Sequence, residues 1–276
     1  PAEGGDPWRE IRSAHFVVQT NLSSEIGREA TLRLEKHRRA VALAWGAHFD
    51  PPGQITAVIV RSKRELEEFA PAPLVSGYFV KSGFSGSNPA IVLSAQSFVV
   101  DASPMTNHET HELAHYLSAY SIPHQPRWVA EGLATYLETI ELKNADTQIV
   151  MGRASRDRLA EVRRRGHLSV DDLWSWNGHE HDNAKNSLLY SSSWLWTHYL
   201  LNQQSERFET FQRLLQTESK PRKAWDQAFA GISHQELEAG LSKYVGPSSK
   251  WPIWTLPVPA VATQLTETPL SDADVH

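Results

Sequence analysis

The sequence predicts an α+β fold, with an N-terminal mixed β-sheet and its helices, then a histidine-rich helix pair, then a C-terminal helical bundle. Short β-branched runs alternate with helical segments in the first hundred residues, whereas helical periodicity dominates from residue 152 onward. Between these regions lies a stretch dense in His and Glu. We therefore expect an N-terminal subdomain, a helix pair, a helical subdomain and an extended tail or linker, at 1–102, 103–142, 143–246 and 247–276.

The first subdomain begins with a strand at His15–Thr20, which is rich in β-branched and aromatic residues. Asn21 to Ser24 offer N-caps for a long amphipathic helix. His37 lies on the apolar face of that helix, so we expect a buried packing histidine and not a ligand. The elements predicted to follow are a strand, a short helix and two further strands, at Ile55–Val60, Ser62–Phe69, Gly77–Val80 and Ala90–Ser94.

The helical subdomain is predicted to contain no strands after residue 152. Its helices are expected near Arg153–Arg165, Val170–Trp176, Leu188–Asn202, Arg207–Thr217, Arg222–Ala230 and Gln235–Tyr244. The basic run 163–165 precedes Gly166, which favours the end of a helix over a nucleic-acid patch. The tail from Gly246 is rich in proline and lacks helical periodicity, so we expect it to be extended or disordered.

Composition limits the classes of function. The 276 residues are 40% hydrophobic and 21% charged, which is typical of a globular protein. The net charge of −5 argues against nucleic acid as the main partner. With no cysteine, any zinc site can use only His, Asp or Glu side chains. No apolar stretch reaches the length of a transmembrane helix.

The segment Asn107–Tyr116 contains the pattern H-E-x-x-H at residues 111–115. On a helix, His111 and His115 occupy positions i and i+4 of one face, so both imidazoles can reach a single ion. Glu112 then lies beside the ion, in the place of a base that acts on water.

The rest of this helix is predicted from the same periodicity. Pro104 is expected near its start, where a missing N–H does no harm. Leu113, Leu117 and Tyr120 should form its core-facing stripe. His108 shares the face of the two motif histidines and is a candidate for contact with substrate or with a ligand.

A second helix, expected from about Arg127 to Leu142, adds the carboxylate of Glu131. Two histidines and one carboxylate form a three-ligand catalytic zinc set with a fourth position for water. Thr135 and Glu138 follow Glu131 at helical spacing, and either could orient a ligand histidine.

H-E-x-x-H, a short loop and the sequence W-V-A-E-G-L-A-T-Y at 128–136 resemble the gluzincin metallopeptidases. The likeness is greatest to bacterial peptidase-MA-like families, whose second helix carries W-x-x-E-G-x-A, and it covers roughly residues 75 to 140. The resemblance implies zinc ligands His111, His115 and Glu131, with Glu112 as the general base. It also implies a peptide or protein substrate and a location outside the cytoplasm. A metzincin would need a glycine and a histidine where this chain has Ser118 and Ser121.

The reaction implied is hydrolysis of a peptide bond, with Zn²⁺ lowering the pKa of a bound water to about 7. Gluzincins supply a Tyr or His from the helical half to stabilise the oxyanion, and Tyr190 matches their Y-x-x-S-W segment. Tyr199, His179 and His181 are alternatives, and Tyr190 could instead be a packing residue. The family also implies an edge strand that binds extended substrate, for which Ala90–Ser94 is the candidate, and the alternative is that Ala90–Ser94 is an ordinary core strand.

Two other classes of function stay open on the sequence. One is a gluzincin-fold zinc-binding module for binding or assembly, although a pure binder has no need of Glu112. The other is a non-enzymatic helical interaction protein whose motif histidines face solvent, which metal analysis would distinguish. Four tryptophans near the expected cleft could line a substrate groove or simply pack in the core, namely Trp128, Trp174, Trp176 and Trp194.

Overall fold

A computed structural model describes the chain over residues 6–46, 49–69, 77–80, 89–95, 108–177, 182–246, 251–260 and 262–271. The fold is α+β with a mixed sheet, which confirms the predicted class at this level. The strands are β1 (Arg9–Arg12), β2 (Phe16–Thr20), β3 (Ile55–Val60), β4 (Gly77–Val80), β5 (Ala90–Ser94), β6 (Glu141–Lys143), β7 (Gln148–Met151), β8 (Trp254–Pro257) and β9 (Thr266–Pro269). The helices are α1 (Ser24–Trp45), α2 (Lys63–Phe69), α3 (His108–Ser121), α4 (Arg127–Leu137), α5 (Arg156–Arg165), α6 (Val170–Trp174), α7 (Asn183–Gln203), α8 (Ser205–Leu214), α9 (Pro221–Ala228) and α10 (His234–Tyr244).

The larger sheet has six strands in the order β4-β5-β3-β2-β1-β9. Its central strands β2, β3 and β5 are parallel, and α1 and α2 form the crossovers between them. The outer strands β4, β1 and β9 pair antiparallel to their neighbours. Strands β3 and β5 are almost wholly buried, as expected for the middle of such a sheet.

Helix α1 forms and packs as its sequence predicts. The Ser23 side chain accepts a hydrogen bond from the backbone N–H of Ile26 and so caps the helix. Ala30, Leu34 and Val41 on its apolar face are buried. Gly27 lets the helix approach the sheet, because a Cβ there would lie 2.8 Å from Cδ1 of Ile11.

The chain divides into two compact units. The first comprises Pro1–Tyr116, Glu141–Ile149 and Thr255–His276, and it contains the six-stranded sheet with α1 and α2. The second comprises Leu117–Ile140 and Val150–Trp254, and it contains α4 to α10.

The core of the helical unit is aromatic. Trp128, Trp194 and Trp225 are fully buried, and Trp176 is nearly so. Trp174 is half-buried and meets Trp128 edge to face. These tryptophans are therefore packing residues, and the alternative of a tryptophan-lined groove is wrong for Trp128, Trp176 and Trp194.

Several predicted boundaries need correction. Helix α4 ends at Leu137 rather than Leu142, and Glu141–Lys143 forms β6 instead. Strands β8 and β9 lie beyond residue 152, where the sequence predicted none. Within residues 251–260 and 262–271, the described part of the tail, β9 completes the larger sheet and β8 joins a three-stranded sheet of order β6-β7-β8.

The predictions for the apolar stripe of α3 and for the end of α5 have different outcomes. Tyr120 is 54% exposed, so it does not belong to the core-facing stripe, whereas Leu113 and Leu117 are buried as expected. The basic run 163–165 forms the last turn of α5, which ends at Gly166 in the left-handed region, and this confirms the predicted helix end.

Pro104, which was predicted near the start of α3, lies outside the described residues. Within the part of the chain that the structure describes, no helix combines the length and apolar character needed to cross a membrane.

Candidate metal centre

Helix α3 carries the two motif histidines on one face, as their spacing predicts. The Nε2 atoms of His111 and His115 are 3.1 Å apart, and their rings meet edge to face with centroids at 4.7 Å. Both side chains are half-buried. Two ligand nitrogens about 2.0–2.1 Å from one tetrahedral ion lie about 3.4 Å apart, so this pair is arranged as a chelate.

Glu131 completes the set. One ligand atom from each of His111, His115 and Glu131 can be chosen so that all lie within 4.8 Å of one another. It is the one cluster of three such metal-binding side chains found among the described residues. Glu131 is only 9% exposed, so its carboxylate lies beside the two imidazoles and is largely shielded from water. The donor set therefore fits a zinc ion of the two-histidine, one-carboxylate type.

Glu112, the residue after His111, is 8% exposed and points toward strand β4. A Cβ built on Gly77 would lie 3.7 Å from Cγ of Glu112, and the ring of Phe79 meets Tyr116 of α3 edge to face. Gly77 and Phe79 thus lie on the sheet face that α3 covers. Tyr78 points to the other face, against the cluster that contains Val92.

Of the two alternatives for Ala90–Ser94, the edge strand is wrong and the ordinary core strand is confirmed. Ala90–Ser94 forms β5, which pairs with β3 on one side and β4 on the other, so it is an internal strand. Among the strands of the described residues, β4 ends the order of the sheet and is the edge strand nearest to α3. The sequence identified both strands correctly but could not show which of them lies at the edge, because strand order depends on long-range pairing.

Arg127 is a site residue that the sequence reasoning missed. Its Nη2 atom lies 3.6 Å from Oε1 of Glu131, one helical turn away. Its guanidinium also covers the ring of Trp176, with Cζ at 4.6 Å from the centroid. Because i and i+4 residues of a helix are neighbours, the spacing of Arg127 and Glu131 was a usable signal.

Tyr190 lies on α7 and is half-buried. Its ring meets Trp176 edge to face at 5.1 Å, and the guanidinium of Arg158 lies over it at 5.6 Å. Its part in catalysis stays a prediction.

The alternatives to Tyr190 divide into two groups. Tyr199 is 4% exposed and packs against Tyr244 and Gly240 in the helical core, which is the environment of a packing residue. His179 and His181 lie outside the described residues.

Four residues with secondary predictions can also be compared with the structure. His37 is buried, and its Nδ1 lies 2.7 Å from Oγ1 of Thr110, which confirms a satisfied packing histidine. Burial lowers the pKa of His37. Thr135 is buried, but its hydroxyl has no hydrogen-bond partner, so it does not orient a histidine. Glu138 is the C-cap residue of α4, and His108 is half-buried at the start of α3.

Comparison with known proteins gives one family. Residues 102–223 match a family described as a protein of unknown function (DUF1570), a span that includes α3, α4 and Tyr190. A search of curated proteins gives no match. The match covers the segment that carries the candidate centre and gives no activity.

Proposed function

We propose that this protein is a zinc-dependent metallopeptidase that hydrolyses peptide bonds. The observation that carries the proposal is the convergence of the ligand atoms of His111, His115 and Glu131, with Glu112 next to the first of them. A metal site with three protein ligands of this kind is typical of catalytic zinc, whereas structural zinc sites have four.

His111, His115 and Glu131 would hold the ion. A zinc ion held by such a set would supply Lewis-acid chemistry and would lower the pKa of water at the site toward neutral. Glu112 accepts the proton of the attacking water and then delivers it to the leaving amine. Its low exposure keeps bulk water away from this carboxylate, which strengthens its interaction with charge that develops nearby.

Strand β4 is the proposed site for the substrate backbone. An extended peptide can pair with the outer edge of a terminal strand through main-chain hydrogen bonds. A Cβ on Gly77 would lie 3.7 Å from Cγ of Glu112, so this strand runs beside the carboxylate. This arrangement favours substrates that present an extended segment on both sides of the cleaved bond.

Metal analysis with hydrolysis of a mixed peptide library tests the proposal. We expect wild type to hold one zinc ion and to cleave, and Glu112→Gln to hold zinc without cleaving, because an amide cannot accept the proton. The double variant His111→Ala/His115→Ala should lose stoichiometric zinc, and Glu131→Ala should bind it weakly. His108→Ala is the matched control, because it removes a half-buried histidine of the same helix and should keep zinc.

Two results would overturn the assignment. Stoichiometric zinc in the His111→Ala/His115→Ala variant would mean that the metal lies elsewhere. Cleavage by Glu112→Gln at the wild-type rate would mean that Glu112 is not the base. Zinc in wild type without cleavage of any library peptide would instead favour the zinc-binding module.

We also propose Tyr190 as the oxyanion donor, on the resemblance of its segment to the Y-x-x-S-W pattern. Tyr190→Phe removes only the hydroxyl, so zinc content and Tm should barely change. Loss of such a donor lowers kcat by about 10²–10³ with little change in KM. A kcat within about twofold of wild type would assign Tyr190 to packing against Trp176.

A further inference from the structure

A buried acidic side chain lies in the first turn of α3, two residues before His111. Glu109 is fully buried, with 0% side-chain exposure. Its Oε1 atom accepts a hydrogen bond of 2.8 Å from Nε of Arg33 and a second one from Nη2. The Nε2 atom of His37 lies 3.4 Å from the same oxygen.

The neighbouring residue is tied to the same helix. Thr110 is also fully buried, and its Oγ1 lies 2.7 Å from Nδ1 of His37. Arg33 and His37 are one turn apart on α1, so two consecutive residues of α3 contact two successive turns of α1. Such a contact fixes both the rotation of α3 about its axis and its position along that axis.

Packing does not explain this choice of residues. Removing a carboxylate from water is costly, and apolar side chains of similar volume usually serve a helix interface as well or better. The carboxylate of Glu109 is only partly satisfied, because its Oε2 is buried without a hydrogen-bond partner. What a charged pair adds over apolar packing is a directional contact.

Orientation matters most at this turn of the helix. His111 lies at the end of the first turn of α3 and His115 one turn further on. Because helix ends fray, loss of helical structure in this first turn would displace His111 from the ion shared with His115. Fixed ligands bind a metal more tightly than ligands that must be ordered on binding.

We propose that Glu109 is a positioning residue for the metal centre. Together with Arg33 and His37, it holds the first turn of α3 so that His111 and His115 present their Nε2 atoms together before the metal binds. The inference rests on the proposed function only through the metal ligands, and it does not require peptidase activity.

Zinc affinity, measured by competition with a chromogenic chelator, tests this inference together with Tm and circular dichroism. The central variant is the double substitution Arg33→Met/Glu109→Met, which replaces the charges by apolar side chains of similar length. We expect it to be folded with a Tm equal to or above that of wild type, and to bind zinc about 10–100-fold more weakly. Glu109→Gln retains an acceptor for Arg33, so its zinc affinity should lie between those of wild type and the double variant.

The matched control is an ion pair far along the chain and on the surface. Nη1 of Arg222 lies 2.9 Å from Oδ1 of Asp171, and both side chains are at least half exposed. The substitution Arg222→Met/Asp171→Met should leave zinc affinity unchanged.

The outcomes separate this inference from the proposed function. Zinc affinity within twofold of wild type in a folded Arg33→Met/Glu109→Met variant would overturn it. If that variant does not fold, unchanged zinc affinity in Glu109→Gln overturns it, and a measurable loss supports it. Wild type that binds no zinc overturns both proposals. Wild type that binds zinc but cleaves nothing overturns the peptidase proposal alone.

Discussion

The two helices that carry the proposed ligands are held in contrasting ways. The first turn of α3 contacts α1 through the charged and polar side chains of Arg33, His37 and Glu109. Helix α4 contacts α7 through small residues instead. A Cβ on Gly132, the residue after Glu131, would lie 2.1 Å from Oγ1 of Thr197 and 2.5 Å from the carbonyl oxygen of Ser193.

Hydrogen bonding shows the same contrast. The hydroxyls of Thr135, Ser193 and Thr197 are buried without a hydrogen-bond partner. These side chains are small enough for the two backbones to approach closely, and their polarity adds no directional contact. Close packing thus fixes the distance of α4 from its neighbour, whereas paired charges fix the rotation and axial position of α3.

The largest effect is expected from filling the contact between α4 and α7. Gly132→Ala places a methyl group 2.5 Å from the carbonyl oxygen of Ser193, so one helix must move. Overpacking of this kind typically costs about 1–3 kcal/mol, and this close approach to backbone should lie at or above the upper end. Urea unfolding measures this loss in the free energy of unfolding. We also expect the zinc content to fall, because Glu131 shifts with its neighbour Gly132.

Gly231→Ala is the control for Gly132→Ala. No heavy atom lies within 4 Å of a Cβ at Gly231, but its φ is +81°, so only backbone strain of about 1–2 kcal/mol is expected. If Gly132→Ala lowers the free energy of unfolding by less than Gly231→Ala does, close packing does not hold α4 against α7.

A smaller effect on stability is expected from substitution of His198, the buried histidine of α7. His198 is fully buried, and its Nε2–H donates to the carbonyl of Gly152 at 3.1 Å. Its Nδ1 accepts from the hydroxyl of Tyr244 at 2.8 Å, which fixes the neutral tautomer. Burial lowers the pKa of His198 to about 4.

This pKa predicts the direction of the pH dependence. Between an unfolded pKa of about 6.5 and a folded pKa of about 4, the unfolded chain binds the extra proton, so stability falls as the pH falls. The slope is at most about 1.4 kcal/mol per pH unit from this group. We expect His198→Gln to be less stable at pH 7 but to lose less stability than wild type between pH 6.5 and 5.

Tyr244→Phe is the control for the pH experiment. It removes the hydroxyl that contacts Nδ1 but keeps the histidine, so the acid slope should persist. An identical slope in wild type and His198→Gln would assign the acid sensitivity to other groups, of which His37 on α1 is the first candidate because its pKa is also lowered by burial.

The smallest effect is expected from Thr135→Val. Valine has the shape of threonine, and the lost hydroxyl makes no hydrogen bond, so stability should rise or stay within about 1 kcal/mol. Zinc affinity should not change. A loss of zinc affinity in this variant would revive the prediction that Thr135 orients a ligand histidine, and it would show that α4 also depends on directional polar contacts.

The sequence predicted the local parts of the fold well. Strands β3, β4 and β5 have the predicted bounds, and α1 has the predicted cap and apolar face. These features depend on periodicity and capping within a short window, which the sequence displays directly. The α4 boundary was wrong because a helical pattern continued into residues that pair as β6. Strands β8 and β9 were missed because a proline-rich tail shows no strand periodicity of its own.

For the candidate site, the sequence by itself determined which residues share a helix face. The spacing of His111 and His115 is local, so an α-helix brings them together whatever surrounds it. Only the tertiary structure decided that β4 forms the edge, that Tyr120 is exposed, and that Glu109 is buried against Arg33. Arg33 and Glu109 are 76 residues apart, and no local pattern distinguishes a buried carboxylate from a solvated one. Burial and pairing over that distance depend on the packing of whole elements, and the energy of packing is set by the partners that the fold supplies.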